Sequence, residues 1–306
     1  MECSRGLGAA GVRPMGGLII RIPARYTVSA RSRLRMQQEV SIFQPTSRSQ
    51  GWLASLSSHR ELVRLLVARD LKVRYKRSVL GFFWTLLNPL ITMIIFSVVF
   101  SRIFAAFYEQ YKLYMISGVL FWSFFSLATS QGLLSMINNG TIIRRIAVPK
   151  VVFPVSSVCS NFVNLVFSLL ALAIFIPFVG GTFSLALFWL LLTLPLLFAF
   201  TLGVALLLST MTVFFRDIRS IWDPLLLIWF FLTPVFYPRS VVPEKYSSLF
   251  RLNPMLVILE VCRIPIHQGV TPPLGLFLKA GLAAACSLSI GLWAFKRYQD
   301  QFIYHV

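Results

Sequence analysis

The chain has 306 residues, 57% hydrophobic and only 13% charged, with a formal net charge of +19 and a mean hydropathy of +0.76. A soluble domain carries about 25% charged residues, so this composition excludes an ordinary soluble fold and points to a membrane protein. The cations do not indicate nucleic acid, because they flank apolar spans and form no basic face or binding motif.

Residues 1 to 50 differ from the rest. Arg5, Arg13, Arg21, Arg25, Arg31, Arg33 and Arg35 face a single acid, Glu2, before Met36. An Arg-rich, acid-poor start fits a transit peptide; the preferred reading is that translation begins at Met36. Residues 1–56 are expected to be a disordered basic extension in either case. From Ser57 to Arg77 the chain reads SSHRELVRLLVARDLKVRYKR. Ser58 and Glu61 have the spacing of a capping box. Leu62, Leu65, Leu66 and Val73 share one helical face, and Arg69, Lys72 and Lys76 run along its flank. This predicts an amphipathic interface helix over 57–78, with its cations among lipid phosphates.

A basic run, Arg69 to Arg77, then meets an uncharged stretch, Val79 to Phe100. A bilayer crossing needs about 20 apolar residues, and basic residues at its start hold that end at the cytoplasmic face. Segment one runs from Val79 to Phe104 with a bend expected at Asn88-Pro89. Tyr108, Tyr111 and Tyr114 are expected as an aromatic belt at the far interface. Segment two, Leu113 to Ile137, returns with Ser117, Gly118, Ser123, Ser126, Thr129 and Ser130 suited to helix contacts. The stretch Asn138 to Lys150 carries Arg144, Arg145 and Lys150 and no acid. Segment three covers Val151 to Val179, and segment four covers Phe183 to Phe215.

Segment five begins at Asp223-Pro224 and ends at Tyr237, short for a crossing and broken by prolines. Pro243-Glu244 opens one short helix; Asn253-Pro254 caps and opens a second, expected to stop before Pro265. A broken span followed by two short half-apolar helices predicts a re-entrant hairpin, since irregular backbone at membrane depth lines a cavity. Segment six, Leu274 to Phe295, ends at Lys296-Arg297. With six crossings, 22 Lys and Arg lie inside and six outside, in line with the positive-inside rule. The fold class is therefore all-α, integral to the membrane, with six transmembrane helices over 79–306 and both termini cytoplasmic. Cys3, Cys159, Cys262 and Cys286 show no paired spacing, and neither do His59, His267 and His305; no metal, cofactor or disulfide framework is expected.

Three stretches carry a family resemblance: RDLKVRYKRSVLGFFWTLLNPL, DIRSIWDPLLLIWFFLTPVFYP followed by VPEKYSSLFRLNP, and the tail FKRYQDQF. They resemble ABC-2 type permeases that export polysaccharides such as O-antigen, capsule and teichoic acid, over about Glu61 to Phe302. The resemblance implies a homodimer in the bacterial inner membrane, docked to two separate nucleotide-binding ATPase subunits. The sequence fits that division, because it has no GxxxxGK[ST] loop to cradle ATP phosphates. ATP and Mg would sit on the partner, and this chain would not be an enzyme. The resemblance also places Asn138 to Lys150 in a cleft of the ATPase, with Arg144, Arg145 and Lys150 as coupling cations.

The implied cargo is a glycan on a polyprenyl pyrophosphate lipid. Arg69, Lys72, Arg74, Lys76 and Arg77 are the expected entrance cations for the pyrophosphate, as charge-assisted donors. Phe82, Phe83 and Trp84, with Trp229, Phe230, Phe231, Phe236 and Tyr237, are the expected channel-lining aromatics. Glu244, Glu260 and Lys279 belong to the gate hairpin and its surroundings. Lys279 either snorkels to the external headgroups or pairs with Glu260. Two rival classes share parts of this reading. A drug or small-lipid ABC-2 exporter would have the same fold. A membrane-embedded glycosyltransferase would need acids at the membrane face, where only Asp70, Asp217 and Asp223 stand, each with a structural explanation.

Overall fold

The structure, a computed structural model, describes residues 60–75, 87, 91, 94, 95, 99, 111–145, 148–177, 181, 183–239, 243, 245, 250 and 252–302. All of them belong to the unit Arg48–Val306. The N-terminal extension, nearly all of segment one and the first helix of the expected hairpin lie outside the described residues.

The described elements are helical throughout. In chain order they are α1 (Arg60–Tyr75), α2 (Tyr111–Asn138), α3 (Gly140–Arg145), α4 (Val152–Phe175), a 3-10 turn (Leu185–Trp189), α5 (Leu190–Phe214), α6 (Ile218–Leu232), α7 (Pro254–His267) and α8 (Leu274–Tyr298), followed by a 3-10 turn (Gln299–Gln301). Four stretches are long and apolar enough to cross a membrane: Tyr111–Asn138, Val152–Phe175, Leu185–Phe214 and Leu274–Gln301. They coincide with expected segments two, three, four and six.

These spans carry hydroxyls that need partners away from water. Ser117 donates to the Leu113 carbonyl at 2.8 Å, Thr129 to Phe125 at 2.7 Å and Thr201 to Leu197 at 2.7 Å. Each is satisfied one turn back on its own helix. That leaves the helix faces free for close contact. A Cβ at Gly291 would lie 2.2 Å from the Gly203 carbonyl oxygen, and one at Gly203 would lie 2.4 Å from the Ser287 backbone. Backbone therefore meets backbone where α5 crosses α8, as small residues allow in a bilayer. Ser287 adds a bond to the Phe200 carbonyl at 3.0 Å.

Two boundaries differ from expectation. α6 starts at Ile218 rather than Asp223, because the Asp217 carbonyl already accepts from the Ser220 and Ile221 amides. Pro224 is carried inside the helix. α6 then ends at Leu232 and is only 15 residues long. α7 opens as expected, with Asn253 capping the Met255 amide at 3.1 Å and Pro254 in its first turn. It does not stop before Pro265 but runs to His267. Proline removes the bond that its amide would give Val261, and the helix closes one turn later with Gln268 bonded to Ile264. Gly269, at φ 66°, then turns the chain through the left-handed region that glycine adopts without penalty. Its carbonyl is held by Ser184 at 2.7 Å, which ties the start of the fourth span to the link before α8.

Candidate functional site

The end of α6 gives the site its shape. Helical bonding stops at Leu232, and Thr233 to Tyr237 form an irregular run of turns and bends. Buried carbonyls without donors cost free energy, yet each carbonyl from Trp229 to Tyr237 has one. Thr233 gives its hydroxyl to Trp229 at 2.8 Å and its amide to Phe230 at 3.2 Å. Tyr237 donates its hydroxyl to Phe231. Asn253 donates to Leu232 at 3.1 Å, and the Val235 amide to Thr233. Tyr114 donates to Pro234 and Tyr237, both at 3.2 Å. Arg263 reaches Pro234 and Val235, both at 3.0 Å, and Tyr111 reaches Phe236 at 2.6 Å. Side chains of α2 and α7 thus replace the helix that the prolines prevent.

Tyr111 and Tyr114 are 2% and 5% exposed. They are not the lipid-facing belt expected at the start of α2; their hydroxyls turn inward because the broken backbone supplies carbonyls there. Asn253 is used fully: besides its cap and Leu232 it donates to the Thr233 hydroxyl at 2.9 Å and accepts from the Trp229 indole at 2.9 Å.

On this backbone sit four of the expected aromatics. Phe230 stacks on Phe236 at 5.6 Å, Phe231 meets Phe236 at 6.2 Å, and Phe236 meets Tyr237 at 5.1 Å. Phe231 is the most open, 55% exposed. Trp229 is partly buried and packs inward. Trp222, Leu226, Trp229 and Thr233 share the face of α6 that packs on α2 and α5, so the Trp229 ring meets Phe125 at 5.1 Å and Phe200 at 6.5 Å. Phe82, Phe83 and Trp84 lie outside the described residues, as does Glu244.

Glu260 pairs with Arg239, Nη1 to Oε1 at 3.5 Å. The expected alternative, a Glu260–Lys279 pair, is not formed. Lys279 stands on the exposed stripe of α8 with Leu278 and Leu282, away from the face buried through Ala280 and Ala284. That placement suits a stem lying along lipid.

At the other end of the bundle, the cations of α1 divide. Arg69 donates to Asp70 at 2.9 Å and to Asn139 at 3.0 Å. Arg74 donates to Gln131 and to Asn161, both at 3.1 Å. Both thereby pin α1, whose Leu66 is buried, against α2 and α4. Lys72 is exposed; Lys76 and Arg77 lie outside the described residues. Asn139 also begins α3, accepting from the Ile142 and Ile143 amides. Arg144 is exposed at the end of α3, and Arg145 closes that helix. Lys150 turns back onto its own chain. It donates to the Gln299 carbonyl and lies 5.9 Å from the Phe302 ring. Burial pushes its ammonium below the usual lysine range, partly offset by Asp300.

Arg263, Tyr111, Tyr114 and Asn253 were missed as site residues. The signal available for Arg263 was its place, three residues after Glu260, in the largely apolar stretch MLVILEVCRIPI. Among the described residues no group of three His, Cys, Asp or Glu is placed to hold a metal ion.

The chain matches the ABC-2 type transporter family over residues 61–266. It is 31% identical over 199 residues to an O-antigen export system permease protein RfbA of Klebsiella pneumoniae, covering 64% of this chain and 76% of that protein. The corresponding protein of Myxococcus xanthus is 33% identical over 221 residues, covering 71% and 84%. The polysialic acid transport protein KpsM of Escherichia coli is 22% identical over 212 residues, covering 68% and 81%.

Proposed function

This chain belongs to the ABC-2 type transporter family, and from that premise we propose how it works: as the membrane permease subunit of polysaccharide export, driven by an ATPase on a separate chain. The observation that carries this is the match to polysaccharide export permeases over most of their own length. The working unit is two permeases with two nucleotide-binding subunits in a bacterial inner membrane, six crossings per permease, termini cytoplasmic. This chain binds no ATP itself, since it carries no phosphate loop.

The cargo is a glycan on a polyprenyl pyrophosphate. Its anionic end meets Lys72, Lys76 and Arg77, while Arg69 and Arg74 hold the interface helix in place and lend the remaining charge. The sugar chain passes Phe230, Phe231, Phe236 and Tyr237, with Phe82, Phe83 and Trp84 from segment one. Aromatic faces suit a sliding polymer, because they stack on pyranose rings and hold no single sugar tightly. Arg144 and Arg145 meet the ATPase; the hairpin of Glu244 and Glu260 forms the exit.

The test is deletion and complementation in a strain that makes the cognate polymer. The null should lose surface polysaccharide and accumulate lipid-linked glycan on the cytoplasmic side, and the parent gene should restore export. Normal surface polysaccharide in the null, with altered efflux of drugs or small lipids, would instead assign the chain to another ABC-2 cargo class.

A further inference from the structure

Arg263 is 1% exposed and is the largest fully buried side chain among the described residues. A guanidinium away from water needs donors matched to acceptors, and here the match is to backbone. Its two terminal nitrogens each take one of two consecutive carbonyls, Pro234 and Val235, both at 3.0 Å. The planar guanidinium holds the two acceptors in one fixed geometry, whereas a lysine ammonium, with rotatable donors on a flexible stem, holds them less rigidly. The guanidinium carbon lies 3.8 Å from the centre of the Tyr114 ring, a cation–π contact. The same tyrosine donates its hydroxyl to Pro234 and Tyr237. One turn along α2, Gly118 leaves the room this needs: a Cβ there would lie 2.0 Å from Arg263 Nη2 and 2.6 Å from the Val235 carbonyl oxygen.

The residues immediately after the two held carbonyls are Phe236 and Tyr237. Their position against Phe230 and Phe231 is therefore set by where the Pro234 and Val235 peptides are fixed. We propose that Arg263, admitted by Gly118, is the positioning residue of the aromatic strip, presenting Phe236 and Tyr237 to the passing glycan by clamping the two peptides that precede them. The proposal rests on the glycan-path reading above, and its test separates the two.

The permease–ATPase complex is prepared with Cys3, Cys159, Cys262 and Cys286 replaced by Ala and with Phe236→Cys as a reporter, and the maleimide labelling rate is measured. Export of polysaccharide is measured separately with Phe236 and the native cysteines present. Arg263→Gln and Arg263→Lys should each raise the labelling rate several-fold and lower export, with the complex still co-purifying. Arg263→Lys keeps the charge, so it remains informative should Arg263→Gln be lost from the membrane. Gly118→Ala should act in the same direction, and adding it to Arg263→Met should cost little more than Arg263→Met alone, because both act through one contact. Raised labelling with parental export supports the clamp and removes the strip from the glycan path. Parental labelling in both Arg263 variants overturns the proposal.

Discussion

Asn253 shows how much a single side chain can hold at the broken end of α6. It caps α7 through the Met255 amide, accepts from the Trp229 indole, and donates to the Leu232 carbonyl and the Thr233 hydroxyl. Replacing a capping asparagine by alanine costs about 0.5–2 kcal/mol, and each buried group left unsatisfied costs about 1–3 kcal/mol more. Asn253→Ala is therefore expected to lower the thermal midpoint of the detergent-solubilised protein by far more than an exposed substitution such as Lys279→Met. Its tryptophan emission should also shift as the Trp229 indole loses its acceptor; an unchanged melt and spectrum would contradict the assigned bonds. The cap was legible from Asn253-Pro254 alone, because capping is local. The other three bonds were not, since they join residues 20 to 24 positions apart whose meeting depends on where α6 stops. The same applies to Glu260. Its partner, Arg239, follows a break that sequence shows only as a cluster of prolines. Lys279→Met is accordingly expected to export like the parent, and a strong export defect would return Lys279 to the exit.

At the scale of elements, the spans were readable because a bilayer imposes a length and forbids charge. Segments two, three, four and six were placed within a few residues on that rule alone. The rule is silent on which faces meet. Gly203 and Gly291 lie in spans with several other small residues, and only the packed helices single them out as the point where α5 and α8 touch. Gly291→Leu must push the two backbones apart, since even a Cβ would overlap the Gly203 carbonyl; overpacking of this kind costs about 1–3 kcal/mol or more. A cysteine pair engineered across α5 and α8 beside the crossing should cross-link in the parent and lose that cross-link in Gly291→Leu, while Gly281→Leu, where a Cβ meets nothing within 4 Å, should retain it. α6 was misread at its start because Asp223-Pro224 has the signature of a helix opening. The chain had already turned at Asp217, and an exposed proline in the second turn was carried by the helix rather than ending it.

For the molecule as a whole, the proposed function requires ATP hydrolysis on a partner chain to reach the spans. Arg144, Arg145 and Lys150 looked equivalent in sequence, three cations on one short linker. The structure separates Lys150 from Arg144. Its ammonium is half-buried against the C-terminal turn, donating to the Gln299 carbonyl beside the Phe302 ring. Phe302 is itself fully buried against Phe295 and Phe214. Lys150 therefore joins the linker to the ends of α5 and α8, and these are the two helices locked together at Gly203 and Gly291. A push on α3 has a route into that pair through Lys150, whereas Arg144 stands at the exposed end of α3. Two different failures are expected. If α3 docks on the ATPase subunit as proposed, Arg144→Glu with Arg145→Glu should weaken co-purification, by reversing charge at that proposed contact. Lys150→Met should leave co-purification intact and still lower export per ATP hydrolysed, because the contact survives while its link to the spans is cut. Measuring complex yield, ATPase rate and export for both variants distinguishes them. Loss of binding in Lys150→Met would return Lys150 to the ATPase surface, and full export in that variant would show that the tail carries none of the coupling.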